Sequence, residues 1–497
     1  MEKYILALDQ GTTSSRAVVF DSNAAGVASA QEEFPQYYPN PGWVEHDPED
    51  IFRSQLSVAK KAVASAGILP EQIAAVGITN QRETVVIWDR KSGIPVYNAI
   101  VWQCRRTASI ADELILTGKS QIIRNCTGLI PDAYFSATKI KWILDNVPDA
   151  RRRAENGELL AGTVDTWLAW RLSGGKCHVT DVTNASRTML FNIHTLEWDE
   201  TLLKIMNIPE RILPEVRNSS EIYGFTDRNV CGFEAPIASL VGDQQAALFG
   251  QACFSSGDTK ATFGTGCFLL MNTGEIPIES KHRLLTTVAL GVGGKVEYAL
   301  EGSVFMGGAV IKWLRDELGI ISSARECDLL AATVPDSNGV IMVPAFTGLG
   351  APYWDSYARG TIVGLTRGTS RAHICRAALE AIAFQVKDEI ECMKDDVRSE
   401  LSSLKVDGGA CVSDVMMQFQ SDILGADVVR PRNTETTVAG AAFLAGLAVG
   451  FWKSKDDIKS RWKPEKIFRP EMDRGEIISR YSDWKSAVEC SRGWRRN

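Results

Sequence analysis

Short apolar runs recur along the chain at residues 5–8, 74–78, 238–241, 341–343 and 404–406, and each ends in a turn carrying Gly, Pro or a polar side chain. Runs this short between turn signals predict buried strands. Longer segments at 51–65, 371–396 and 414–424 repeat their apolar positions at helical spacing and predict helices. Alternation of the two predicts an α/β protein with helices on both faces of its sheets. The most apolar stretch, VAGAAFLAGLAVGFW at 438–452, is rich in Ala and Gly. It falls short of the ~20 residues a membrane helix needs and predicts a helix buried in the core instead. Its GxxxG from Gly446 to Gly450 therefore carries no membrane meaning.

The first strand runs into a turn of unusual chemistry. LALDQGTTSSRAVVFD, residues 6–21, places Asp9, Gly11, Thr12, Thr13 and Ser14 between two apolar strands. Such a turn can converge N–H groups and hydroxyls on a phosphate, with Asp9 facing a metal-bound phosphate. Alone it is equally an ordinary hairpin. A second copy, KATFGTGCFLLMNTG at 260–274, with Gly264, Thr265 and Gly266 in its turn, tips the balance. Repetition half a chain apart predicts two similar domains, 1–250 and 251–497, joined near 250–257, with phosphates held in the cleft between them. A third turn, VDGGA at 406–410, offers two adjacent glycines where a flat ring could approach the backbone, or else a simple tight turn.

Composition narrows the classes. At 497 residues the chain exceeds one ordinary core, and 45% hydrophobic with 23% charged residues are globular values. A net charge of −7 gives no general attraction to nucleic acid or acidic membranes, and Arg151, Arg152 and Arg153 read as solvated helix surface. Eleven cysteines without a CxxC pair argue against a zinc ribbon and a secreted disulfide framework. No basic stretch followed by an apolar signal core opens the sequence, so the expected compartment is the cytoplasm.

GxxxxGK[ST] is absent and neither FGTG nor GLGAP completes GxGxxG, which leaves P-loop and Rossmann machinery unsupported. In SLVGDQQAALFG, Asp243 stands where a strand gives way to a helix, as a general base or as a helix N-cap. In NQRETVVIWD, Arg82 and Glu83 combine donors with acceptors, which suits neighbouring hydroxyls of a polyol as well as a surface ion pair. Trp102 and Tyr134 could wall such a pocket or fill the core. Glu45, His46 and Asp47 are adjacent residues that seldom point at one centre, and no second His cluster accompanies them, so a zinc site and a histidine triad are rejected. Asp9 and Asp243 could instead position Mg²⁺ arriving with a nucleotide.

Taken together, DQGTTSSRA, NQRETVVIWD, YFSATKIKWILDN, VGDQQAALFGQ, FGTGCF, EGSVFMGGA, GLGAPYWDSYARG and MQFQSDILGADV resemble the FGGY family of carbohydrate kinases nearly end to end, and most closely its members acting on glycerol. The resemblance implies two ribonuclease-H-like domains of the actin and Hsp70 type flanking an interdomain cleft that closes around ATP–Mg²⁺ and a polyol. It implies that Thr12, Thr13, Ser14 and Arg16 contact phosphates, and that Thr265, Gly308, Lys312, Gly409 and Ser413 line the nucleotide site. It further implies that Arg82, Glu83, Tyr134, Asp243 and Gln244 bind glycerol, with Trp102 and Phe268 as apolar walls and Asp243 as base. The implied product is sn-glycerol 3-phosphate, made by a homodimer or homotetramer. Lys312 and Ser413 stand where bacterial members often carry Gln and Asn. Residues 225–236, FTDRNVCGFEAP, lack the Gly-rich loop ending in Arg by which many relatives bind fructose 1,6-bisphosphate, which predicts weak or absent inhibition by that sugar. A kinase of the same family for xylulose or erythritol, and an actin-like ATPase without a small acceptor, are the alternatives.

Overall fold

The structure, a computed structural model, describes residues 1–494. Its first sheet begins with an antiparallel meander of β1 (Tyr4–Gln10), β2 (Ser14–Phe20) and β3 (Gly26–Glu33). Two parallel strands, β4 (Ile73–Asn80) and β5 (Pro236–Gly242), extend it on the other side of β1. The second sheet repeats the plan with β6 (Thr259–Phe263), β7 (Cys267–Gly274) and β8 (Lys295–Val304) as the meander and β9 (Ser403–Asp407) and β10 (Asp427–Pro431) as the parallel pair. The orders β3-β2-β1-β4-β5 and β8-β7-β6-β9-β10 are the same. Both Gly-Thr turns thus join the first and second strands of their sheets, as a duplicated unit requires. The sheets meet through a single residue pair, Ser220 with Val292, on their outermost strands.

Five helices matter for the site: α1 (Asp243–Gly250), α2 (Gly308–Asp316), α3 (Arg371–Val397), α4 (Asp414–Leu424) and α5 (Thr436–Ala448). Strands β1 and β4 are buried almost throughout because helices cover both faces, which explains their unbroken apolar runs. One cover is exchanged between halves. Helix α5 follows the last parallel strand of the second sheet yet packs on the first, where Ala441, Ala442 and Ala445 meet Ala7, Ala75 and Val241. Helix α1 does the converse, setting Leu248 among Leu270, Ala289 and Ala299. A fully buried leucine of this kind contributes roughly 1.5–3 kcal/mol.

Helix α4 spans the predicted 414–424, and α3 runs one residue past the predicted 371–396. The predicted 51–65 lengthens to Pro48–Ala66, because Asp47 caps its start and Gly67 its end with φ 64°. The predicted 438–452 stops at Ala448. There Gly450 takes φ 70° and turns the chain so that Trp452 folds back on Gly446, where a Cβ would stand 2.2 Å from the ring. Of the arginine run, Arg152 is exposed and pairs with Asp149 on the surface, whereas Arg151 and Arg153 are half-buried and pair with Asp145 and Asp89. Among the described residues no helix is long and apolar enough to cross a membrane.

Candidate active site

Four strand or hairpin ends converge between the sheets. The β1–β2 turn is closed by the Gly11 N–H on the Ser14 carbonyl at 3.0 Å. The side chains of Gln10 and Gln81 hold the Gly11 carbonyl at 2.8 and 3.1 Å. Thr13 is exposed, the Ser14 hydroxyl accepts from Gln31, and the Thr12 hydroxyl accepts from the Trp102 indole at 2.9 Å. The phosphate-type turn and the aromatic wall are therefore one hydrogen-bonded unit. Arg16, next along β2, reaches across to pair with Glu435 just before α5.

At the end of β5, Gly242 is the helix cap and Asp243 is the first residue of α1, so the N-cap alternative falls one residue short. The Asp243 carboxylate accepts the Gln244 N–H at 2.7 Å and lies 3.4 Å from the Arg82 Nε. Burial raises its pKa, opposed by Arg82 and Lys260. Asp9 is pushed up to about 7, by burial first and then by the Asp243 charge. The Asp243 charge thus raises a second, neighbouring carboxyl in the cleft, and two oxygen donors of this kind fit a hard divalent cation using one or two carboxylates.

Behind them lies a buried tetrad. Arg82 grips Glu301 of β8 with two bonds, 2.6 Å to Oε2 and 3.0 Å to Oε1. Arg187 donates to Glu83 Oε1 at 2.6 Å and to Glu301 Oε1 at 3.0 Å. All four residues are at most 3% exposed. Burial alone would raise Glu301, yet Arg187 and Arg82 outweigh it and hold the carboxyl at about 2. Glu83 has one arginine bond, and burial pushes its carboxyl up. Its backbone takes φ 62° while the Thr84 N–H bonds the Arg82 carbonyl at 2.7 Å, a tight strained turn of the kind found at binding sites. Tyr134 stands edge-on to Trp102, with ring centroids 5.6 Å apart, and burial followed by Glu83 raises its phenol.

On the other sheet, Lys260 of β6 is fully buried and donates to Gln244 Oε1 at 2.6 Å, Thr262 Oγ1 at 2.9 Å and the Phe268 carbonyl at 3.3 Å. Burial draws its pKa down to about 8, against Asp407 and Asp243. This ammonium brings Phe268 beside Gln244. The Gly264 and Thr265 carbonyls take the N–H groups of Gly307, Gly308 and Ala309, so the second turn and the start of α2 are locked together. A Cβ on Gly308 would stand 2.9 Å from the Gly264 carbonyl, whereas one on Gly409 would meet nothing within 4 Å. Open space before the 408–409 turn is what a flat ligand requires. Lys312 is exposed on α2. Ser413 is committed to structure, capping α4 through the Met416 N–H at 3.1 Å and donating to Asp328.

Two family models cover most of this architecture. The N-terminal domain of the FGGY family of carbohydrate kinases matches residues 4–250 and the C-terminal domain matches 259–449. The chain belongs to the FGGY family of carbohydrate kinases. It is 60% identical over 494 residues to "Glycerol kinase 2" of Thermotoga maritima, covering 99% of this chain and 100% of that one. A "Glycerol kinase" of Brachyspira hyodysenteriae is 61% identical over the same length, again covering 99% and 100%. Among solved structures, Plasmodium falciparum glycerol kinase with ADP superposes with a TM-score of 0.93 at 38% identity, covering 99% of this chain and 98% of that one. The fold is the two-domain, actin- and Hsp70-like α/β architecture of this family.

Sequence reasoning missed Arg187, Glu301, Lys260 and Glu435. Glu301 opens EGSVFMGGA and Lys260 opens KATFGTG, so a buried charge inside an apolar strand was a usable signal for both. Arg187, in TNASRTML, carried none.

Proposed function

We propose that this FGGY kinase transfers the γ-phosphoryl group of ATP to a terminal hydroxyl of glycerol, giving sn-glycerol 3-phosphate and ADP. The observation that carries the reading is what the tetrad leaves free. Arg82 has five N–H donors, of which three are committed to Glu301 and Gln245. Its Nε–H and one Nη2–H remain, and Glu83 keeps Oε2, with Asp243 alongside. Donors, an acceptor and a base within one pocket suit a small polyol held by paired hydroxyls. The relatives named glycerol kinase and the ADP-bound neighbour support the same reading.

Arg82, Glu83, Tyr134 and Gln244 bind the hydroxyls, and Trp102 with Phe268 shield the carbon chain. Asp243 takes the proton of the attacking hydroxyl as the bond to the γ-phosphorus forms and the β–γ bridge breaks, an effect worth ~10²–10⁴ in rate. Thr12, Thr13, Ser14 and Arg16 receive the phosphates, which requires Arg16 to exchange Glu435 for the ligand. Thr265, Gly308 and Gly409 border the rest of the nucleotide, with Lys312 at its rim and Ser413 acting through the cap of α4. Asp9 and Asp243 would hold Mg²⁺, whose charge would offset that of the phosphates. Residues 1–250 form the polyol half and 251–497 the nucleotide half, in a cytoplasmic homodimer or homotetramer. The unpaired, mostly buried cysteines suit that compartment.

ADP release measured with glycerol, with xylulose and without acceptor tests the reading. Turnover is expected with glycerol alone. Equal turnover without acceptor, or preference for xylulose, would overturn it.

A further inference from the structure

The atoms that the polyol reading needs free are kept free by two residues outside the pocket. Arg82 stands 3.4 Å from Asp243 and 3.8 Å from Glu83, near enough for its charge to swing onto either carboxylate. Its two bonds to Glu301, at 2.6 and 3.0 Å, draw the end of the guanidinium away from both. Arg187 occupies Glu83 Oε1 and ties the same Glu301, leaving one oxygen of Glu83 to accept a hydroxyl. Glu301 belongs to the second sheet, whereas Arg82, Glu83 and Arg187 precede the junction between halves. Bidentate pairing adds geometric specificity as well as energy, and in a buried site each misplaced charge is left uncompensated.

We propose that Glu301 and Arg187 are positioning residues for the polyol: they aim Arg82 and Glu83, and through Glu301 the nucleotide half completes the substrate pocket of the other half. The inference rests on the glycerol reading above. Its consequence is selective, because losing the aim spoils hydroxyl recognition while the nucleotide turns stay intact.

Steady-state kinetics of the full chain with Glu301→Gln and Arg187→Met test it. The glycerol KM is expected to rise by roughly thirtyfold or more, with the ATP KM within about threefold of the parent. Preference for glycerol over propane-1,2-diol, in kcat/KM, is expected to fall at least ~10-fold, since hydroxyl rejection depends on paired buried groups. The double variant should lose less than the product of the single losses. Should Glu301→Gln fail to fold, Glu301→Asp keeps the charge but not the two-bond reach and carries the same test. Unchanged glycerol KM and unchanged diol discrimination in folded variants would overturn the inference. A parent that phosphorylates no glycerol would instead overturn the functional reading beneath it.

Discussion

Gly440 of α5 rests against the Ala246 carbonyl of α1 so closely that a Cβ would stand 1.9 Å from the oxygen. The crossing is reciprocal, for a Cβ on Gly250 would stand 2.0 Å from the Thr436 carbonyl. These exchanged helices are the seam between the two halves. Gly440→Ala gains about 1 kcal/mol of helix propensity, yet the obstacle is backbone and cannot rotate away, so overpacking wins. A net loss of about 2 kcal/mol or more is expected in urea unfolding. A variant as stable as the parent would show that the seam opens without cost.

That seam also marks what the sequence made legible. Each half was readable from its Gly-Thr turn and its apolar strands, because local chemistry fixes a hairpin. The Ala- and Gly-rich run could be called buried, but its packing on the opposite sheet depends on contacts hundreds of residues apart. The same holds in the site. Asp243 and Arg82 could be singled out as candidates because strand ends and adjacent charges are local signals. Arg187 meets Glu83 at a separation of 104 residues and Glu301 meets Arg82 at 219, and no spacing rule reaches that far. The rejected Glu45, His46 and Asp47 cluster illustrates the reverse. Glu45 is taken by Tyr97, Asn98 and Arg106, His46 by Gln36, and Asp47 by the first turn of a helix, so three adjacent candidates serve three separate purposes.

Asp243→Asn keeps the size and the Oδ1 acceptor for the Gln244 N–H but removes the proton acceptor. Turnover with glycerol is expected to fall by ~10²–10⁴, with thermal stability and ADP affinity near those of the parent. Calorimetric ADP binding beside the coupled assay checks both. Near-normal turnover would eliminate the base assignment.

Residues 225–236 are ordered by their own bonds. Asp227 caps the short helix Arg228–Cys231, Gly232 ends it with φ 85°, and the Thr226 N–H bonds the Ala235 carbonyl at 2.9 Å. No flexible glycine loop remains there to wrap a sugar bisphosphate. Millimolar fructose 1,6-bisphosphate is expected to inhibit the reaction with glycerol weakly or not at all. A saturable inhibition curve in the micromolar range would contradict this.

Burial and then the Asp243 charge push the Asp9 carboxyl up to about 7 in the folded chain, against an ordinary value of 3.8. Between these values the folded protein holds a proton that the unfolded chain has released. Stability therefore falls as pH rises through this window, and the penalty is complete above about pH 7. Asp9→Asn abolishes the penalty, so the variant should melt a few degrees above the parent at pH 8 and no higher than it at pH 4, while losing phosphoryl transfer. Millimolar Mg²⁺ at pH 8 should raise the parent's melting temperature by offsetting the same repulsion, and should do so less in the variant. Scanning calorimetry at both pH values, with and without Mg²⁺, reads both effects. A variant that melts below the parent at pH 8 would mean that Asp9 is held by attraction rather than strained by burial and by its neighbour.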